Sequence, residues 1–166
     1  MTNIMANQFI PYGRQHITQT DIDAVVAVLQ SDFLTQGSQV PAFEERVAAY
    51  TGAKFGVAVN SATSALHIAC LALGLGQGEK GKDDWLWTTP ITFTASANCG
   101  LYCGANIDFV DIDPLTLNMS ITALEEKLQL ADAENRLPKI VIPVHFTGEP
   151  CDMAAIHALS QQYGFK

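Results

Sequence analysis

The chain has 166 residues, enough for one domain built around a single sizeable core. Hydrophobic residues make up 48% of it and charged residues 16%, a globular balance that excludes a disordered chain. A net charge of −8 excludes a nucleic-acid backbone as partner, since no basic stripe is present to displace counterions; it leaves open a small anion held by a few backbone N–H groups.

Residues Met1 to Phe9 are polar and lack the charged-then-apolar design of a signal peptide. No segment approaches the roughly 20 apolar residues of a membrane span. Cys70, Cys99, Cys103 and Cys151 lie in apolar segments without the spacing of a disulfide framework, so a reduced, cytoplasmic protein is expected.

Taken in chain order, Ile22, Val25, Val26 and Leu29 share one helical face, and Thr20 or Asp21 offers its start cap. A second helix carries Pro41 in its first turn, then Phe43, Val47 and Tyr50, and closes at Gly52. Phe55 to Val59 reads as a short buried strand. An Ala/Leu-rich helix from Ala62 to Leu73 follows, closed by Gly74, and Gln77 to Asp84 forms a polar loop. Trp85 to Thr88 is the second strand, Thr92 to Tyr102 a helix ending at Gly104, and Ile107 to Val110 the third strand. Thr122 and Glu125 make a capping-box pair ahead of Leu124, Leu128 and Leu130. Lys139 to Val144 is the fourth strand, apolar on both faces, and Asp152 caps a last helix that ends near Gly164. Short strands separated by helices predict an α/β fold with a mostly parallel sheet covered on both faces. Right-handed crossovers then line the strand-to-helix loops along one edge, where sites are expected.

Of those loops, Asn60-Ser61-Ala62-Thr63-Ser64 is the most informative, because it follows a strand and opens a helix. Its small residues let backbone approach an anion, and the first-turn N–H groups with the helix dipole favour a phosphate. An ordinary N-cap would use the same residue types. The stretch Gly76 to Gly81 matches G-x-G-x-x-G but follows a helix and precedes a strand, the reverse of a dinucleotide fingerprint. Phe93, in the loop after the second strand, could lay its ring on a flat heteroaromatic ligand or sit in the core. Cys99 and Cys103 are one helical turn apart, yet no His or acid joins them, so they read as small buried hydrophobes rather than metal ligands. His67 reads as structural. His145 ends the fourth strand, where either a ligand or a structural hydrogen bond could hold it.

In order, Tyr12-Gly13-Arg14-Gln15, Ser31 to Gly37 (SDFLTQG), Phe43-Glu44, NSATSALHIACLALGLG from Asn60, WTTPITFTASAN from Trp87, VDIDP from Val110 and PVHFTG from Pro143 resemble the DegT/DnrJ/StrS-type nucleotide-sugar aminotransferases. Within that family the chain looks most like the pseudaminic-acid branch. The resemblance covers nearly the whole chain from Ile10 and implies part of an aspartate-aminotransferase-like large domain (pyridoxal-phosphate fold type I), with residues 1–166 its N-terminal portion. It implies pyridoxal 5′-phosphate as cofactor and a homodimer. The implied amino donor is glutamate, and the acceptor is the C4 ketone of a UDP-linked 4-keto-6-deoxy sugar.

Carried over residue by residue, the resemblance places Ser61, Ala62 and Thr63 at the cofactor phosphate and Phe93 on the pyridine ring. It places Tyr12, Asp32, Phe33, Leu34 and Thr35 along the nucleotide-sugar site. The family's Schiff-base lysine, and the aspartate that pairs with the pyridine nitrogen, fall after the segment matching Tyr163-Gly164-Phe165. None of Lys54, Lys80, Lys82, Lys127, Lys139 and Lys166 stands in the matching context. The expectation is a chain truncated within its domain, inactive alone, with part of its sheet unpaired. A sister aminotransferase acting on another 4-keto sugar, or a non-catalytic binding or assembly module, is the alternative.

Overall fold

The structure, a computed structural model, describes residues 13–77 and 83–166. Tyr12 and most of the G-x-G-x-x-G match therefore lie outside the described residues. The chain divides into two compact units, one up to Ala58 and one over Val59–Lys166.

The first unit holds helices α1 (Gln19–Leu29) and α2 (Gln39–Thr51). Helix α1 begins earlier than expected because Thr18, not Thr20 or Asp21, is its N-cap. The Thr18 hydroxyl accepts from the Asp21 N–H, and the Asp21 carboxylate accepts from the Thr18 N–H at 2.7 Å. The bond from the Thr18 N–H, and then one from the Thr18 hydroxyl at 2.8 Å, hold the Asp21 carboxyl below the usual carboxylate range. Helix α2 has Pro41 in its first turn and closes at Gly52, as the sequence suggests. Residues 55–59 do not form the expected buried strand. The segment pairs with no strand among the described residues, Phe55 and Val57 are exposed, and the Ala58 N–H is taken by the Glu44 carboxylate at 2.8 Å. An apolar run makes a strand only where a neighbour takes up its backbone groups.

The second unit runs α3 (Ala62–Ala72), β1 (Trp85–Thr88), α4 (Ala95–Tyr102), β2 (Asn106–Phe109), α5 (Ile121–Ala133), β3 (Ile140–Val141) and α6 (Met153–Tyr163). The three strands form a parallel sheet in the order β2-β1-β3, with Leu86 opposite Ile107 and Ile140. Alternation along the strands divides the core between two faces. Trp87, Val110 and Val141 pack with Leu124 and Leu128 of α5 and with Ile156 and Leu159 of α6. Leu86 and Ile140 pack with Cys70 of α3 and Cys99 of α4. The parallel, twice-covered sheet expected from the sequence is thus present.

Several boundaries differ from expectation. Helix α4 begins at Ala95 rather than Thr92, which leaves Phe93 in the loop, and β2 runs Asn106–Phe109 rather than Ile107–Val110. Strand β3 stops at Val141 rather than Val144: the Ile142 N–H still reaches the Trp87 carbonyl at 2.8 Å, but β1 ends at Thr88 and offers no further strand to pair with. On its far side the Lys166 N–H and C=O bond to Lys139 and Val141 at 3.0 and 2.9 Å, adding one residue of parallel pairing. Helix α5 begins at Ser120, whose hydroxyl accepts from the Ala123 N–H at 3.2 Å, so Thr122 already lies inside the first turn and caps nothing. Asp152 caps α6 as expected, accepting from Ala155 at 3.0 Å.

The packing of α3 on α4 sets the geometry of the loops. Cys70 meets Cys99 with sulfurs 3.7 Å apart, and beyond the end of α3 a Cβ on Gly76 would lie 1.7 Å from the Cys103 carbonyl oxygen at the end of α4. The carboxyl ends of the two helices therefore meet, and the helices run in the same direction. On the sheet side, a Cβ at Gly100 would lie 2.5 Å from Ile107 Cδ1, so α4 approaches the sheet as closely as a glycine allows.

Candidate functional site

Because α3 and α4 run together, their N-terminal ends open on the same side as the carboxyl end of β1. Ser61 is the N-cap of α3, with extended backbone, and its hydroxyl accepts from the Ser64 N–H at 3.2 Å. The Ser64 hydroxyl donates to Asn60 Oδ1 at 2.7 Å, which fixes the strap ahead of the helix. The N–H groups of Ala62 and Thr63, the first two of α3, have no carbonyl one turn back inside the helix and point out of its end. The first turn holds no acidic residue to compete with an anion. Two outward amides, flanking hydroxyls and the positive end of an eleven-residue helix fit a phosphate group. The N-cap that the sequence left as one alternative is present, and the Ser61 hydroxyl makes it without using the Ala62 and Thr63 amides.

Phe93 lies in the loop between β1 and α4. It is not a core residue: 63% of it is exposed, although the flanking Thr89, Ala95 and Ser96 are buried. Thr88 locks the base of this loop by donating its hydroxyl to the Ile142 carbonyl at 3.0 Å. An exposed aromatic ring at this position could lie against a flat ligand.

The loop after β3 reaches the same edge of the sheet. His145 is structural, its Nδ1 accepting from the Cys151 N–H at 3.1 Å. Thr147 is a β-branched residue in left-handed backbone (φ 54), an uncommon state that neighbouring bonds must hold in place. Asn118, which no sequence motif singles out, supplies them. Its side chain is buried, accepts from the Phe146 N–H at 2.9 Å and donates to the Glu149 carbonyl at 3.0 Å.

In the first unit, Asp32 and Phe33 line a cavity of about 360 Å³ with Val28, Ser31 and Ser38. Ser31 shapes this turn by donating to the Val28 carbonyl at 2.7 Å. Leu34 is exposed and Gln36 takes a left-handed conformation. The structure thus brings Asp32 and Phe33 to one cavity, with Thr35 exposed beside them in the turn.

Cys70, Cys99 and Cys151 are buried, whereas Cys103, expected to be buried, is half-buried at the edge of the core. Burial pushes the Cys70 thiol up to about 12 and raises that of Cys99. Among the described residues no group of three or more His, Cys, Asp or Glu is placed to hold a metal ion, and no helix is long and apolar enough to cross a membrane. Lys127 is engaged with Asp108 at 2.7 Å. Lys139 bonds Asp84 at 2.8 Å and the Gly74 carbonyl at 2.6 Å, closing the base of the polar loop that the sequence marks.

Residues 15–166 match the model of the DegT/DnrJ/EryC1/StrS aminotransferase family. The chain belongs to that family. It is 41% identical over 95% of its length to the spore coat polysaccharide biosynthesis protein SpsC of Bacillus subtilis, and spans 38% of that protein. It is 38% identical over 93% of its length to the UDP-4-amino-4,6-dideoxy-N-acetyl-beta-L-altrosamine transaminase of Campylobacter jejuni, again 38% of the relative. Among solved structures it resembles the sugar aminotransferase Spr1654 of Streptococcus pneumoniae in its PLP form, with a TM-score of 0.79 and 29% identity. That likeness covers 92% of this chain and 36% of the other. The family is pyridoxal-phosphate-dependent, and the fold is the partial aminotransferase domain that the resemblance implies.

Proposed function

We propose that this chain is the cofactor-holding segment of a nucleotide-sugar aminotransferase. The observations that carry the proposal are the outward amides at the start of α3 and the exposed Phe93 in the loop between β1 and α4, on two helices that pack against each other. In this reading the Ala62 and Thr63 N–H groups and the Thr63 hydroxyl hold the phosphate of pyridoxal 5′-phosphate, Ser61 caps the helix beside it, and Phe93 stacks on its ring. Bound there, the cofactor supplies the electron sink for amino transfer. The parent enzyme moves an amino group from glutamate to C4 of a UDP-linked 4-keto-6-deoxy-N-acetylhexosamine, with Tyr12 and Asp32 to Thr35 contacting the nucleotide sugar, and acts as a homodimer. Similarity to the altrosamine transaminase supports that sugar.

The chain spans 36–38% of the relatives it matches here, and two of its lysines, Lys127 and Lys139, are committed to ion pairs. The proposal accordingly has the rest of the parent enzyme supply the Schiff-base lysine, so that residues 1–166 alone bind the cofactor and transfer no amino group. The test is titration of the chain with pyridoxal phosphate, followed by absorbance, together with a transamination assay using glutamate and candidate UDP-4-keto sugars. Saturable binding without turnover is expected. Turnover by this chain would refute the division of labour, and absence of binding would refute the cofactor reading. A second reading, a sister enzyme acting on another 4-keto sugar, is favoured by the 41% identity to SpsC; the same assay on the full-length parent decides between the sugars.

A further inference from the structure

We propose that Ser96 is a positioning residue for the Phe93 ring, an inference that rests on the cofactor reading above. Phe93 occupies a position that an apolar side chain leaves unless something holds it. The residue is 63% exposed, and collapse onto the adjacent core would remove apolar surface from water. What holds it is not the usual device. Thr94, the N-cap of α4, has helical backbone angles and makes no side-chain capping bond. The loop is instead tied from within by Ser96, which is 6% exposed and uses two of its groups. Its hydroxyl accepts from the Thr92 hydroxyl at 2.8 Å, and its N–H donates to the Phe93 carbonyl at 2.8 Å. The residues on both sides of the ring are therefore fixed by one buried serine, while the ring itself makes no part of the tie.

The arrangement is well suited to presenting a flat face. A stacking ring contributes only if its plane is set before the ligand arrives, since ordering it on binding consumes the gain. The Thr92–Ser96 bond joins residues four apart across the start of α4, so it fixes the entry of the chain into the helix and with it the direction in which Phe93 leaves the loop.

The test compares the full chain with Ser96→Ala, Ser96→Thr, Phe93→Ala and the Ser96→Ala/Phe93→Ala double variant. For each, affinity is measured for pyridoxal phosphate directly and for inorganic phosphate by competition. Inorganic phosphate fills the cup without reaching the ring, so it separates a positioning role from general damage to the fold. Ser96→Ala is expected to weaken pyridoxal phosphate about fivefold, the equivalent of about 1 kcal/mol of stacking, and to leave inorganic phosphate unchanged. Phe93→Ala should have the same effect, the double variant should lose no more than either single one, and Ser96→Thr should restore wild-type affinity. If Ser96→Ala fails to fold, Thr92→Val removes the same hydroxyl bond from the less buried side and should give the same pattern. Wild-type affinity in Ser96→Ala, with Phe93→Ala weakened, overturns the positioning role and leaves the cofactor reading standing. Equal loss of both ligands in Ser96→Ala also overturns it, as a merely structural effect. A wild-type chain that binds neither ligand, or a Phe93→Ala variant that binds as wild type, removes the cofactor reading and this inference together.

Discussion

The meeting point of α3 and α4 is where a single methyl group should do the most damage, and the structure lets its effect be separated into two parts. Gly76 has φ +71, and a Cβ built there falls 1.7 Å from the Cys103 carbonyl oxygen and 2.7 Å from its carbon. Gly74, two residues earlier, has φ +77, but its Cβ would meet nothing nearer than the Lys139 Nζ at 3.8 Å. Both substitutions to alanine carry the left-handed backbone penalty, about 1–2 kcal/mol for an L residue. Only Gly76→Ala also drives a methyl into backbone, which forces the two helix ends apart and opens the packing around Cys70 and Cys99. Overpacking of that kind adds about 1–3 kcal/mol. The expected values are therefore about 1–2 kcal/mol for Gly74→Ala and about 2–5 kcal/mol for Gly76→Ala, the latter a large share of the total stability of a small domain. Urea unfolding followed by far-UV circular dichroism and by the fluorescence of Trp85 and Trp87, both on β1, gives the two numbers. Equal losses for the two variants would refute the close approach of the helices and, with it, the argument that brings the α3 cup and the Phe93 loop to one side.

Three further outcomes follow from the same structure. Ser120→Ala should destabilise the chain by about 1 kcal/mol and Thr122→Ala by less than about 0.5 kcal/mol in urea unfolding, because Ser120 is the true cap of α5; the reverse order would restore the sequence-based box. Cys70 and Cys99 should resist a thiol reagent at pH 8 in the folded chain and react fully once unfolded. Their raised thiols favour the folded state fully below the ordinary thiol range near about 8.5, an advantage lost as pH rises toward the Cys70 value of about 12; rapid native labelling of Cys99 would contradict this. The Asp113 carboxyl is held below its ordinary range by the N–H groups of Thr116 and then Leu115. Its contribution is present above the unfolded value of about 4 and fades as pH falls through the lower folded value, so the stability gap between wild type and Asp113→Ala should narrow at acid pH; a constant gap from pH 6 to pH 3 would contradict the assignment.

How far the fold was legible depends on where each signal comes from. The helices α3 and α6 and the strand β1 are local matters of period and cap, and Asp152, Gly74 and the Trp85–Thr88 run announce them in the sequence. The failures are all non-local or competitive. Phe55 to Val59 has the composition of a strand, but a strand is a property of a pair, and no described segment pairs with it. Ser120 and Thr122 are chemically equivalent caps, and the choice between them is made by the Ile112–Met119 bridge and the Ser120–Asp111 backbone bond that bring the chain in. In the candidate site, the Asn60–Ser64 helix start with its Ser61 cap was legible because a cap is built from consecutive residues. Asn118 was not, since its two partners lie 28 and 31 residues away. Ser96 falls between: its partner Thr92 is four residues off, a spacing visible in the sequence, but its use depends on Phe93 facing outward, which only the structure shows.

The central claim is that the α3 cup and Phe93 together receive pyridoxal phosphate. Amide and side-chain NMR of the labelled chain, titrated with pyridoxal phosphate, tests it most directly. The account predicts saturable shifts of the Ala62, Thr63 and Ser64 amides, together with ring-current shifts at Phe93. Inorganic phosphate should reproduce the first set and not the second. Shifts centred instead on the N-terminal turns of α5 or α6, or cup shifts without any change at Phe93, would contradict it.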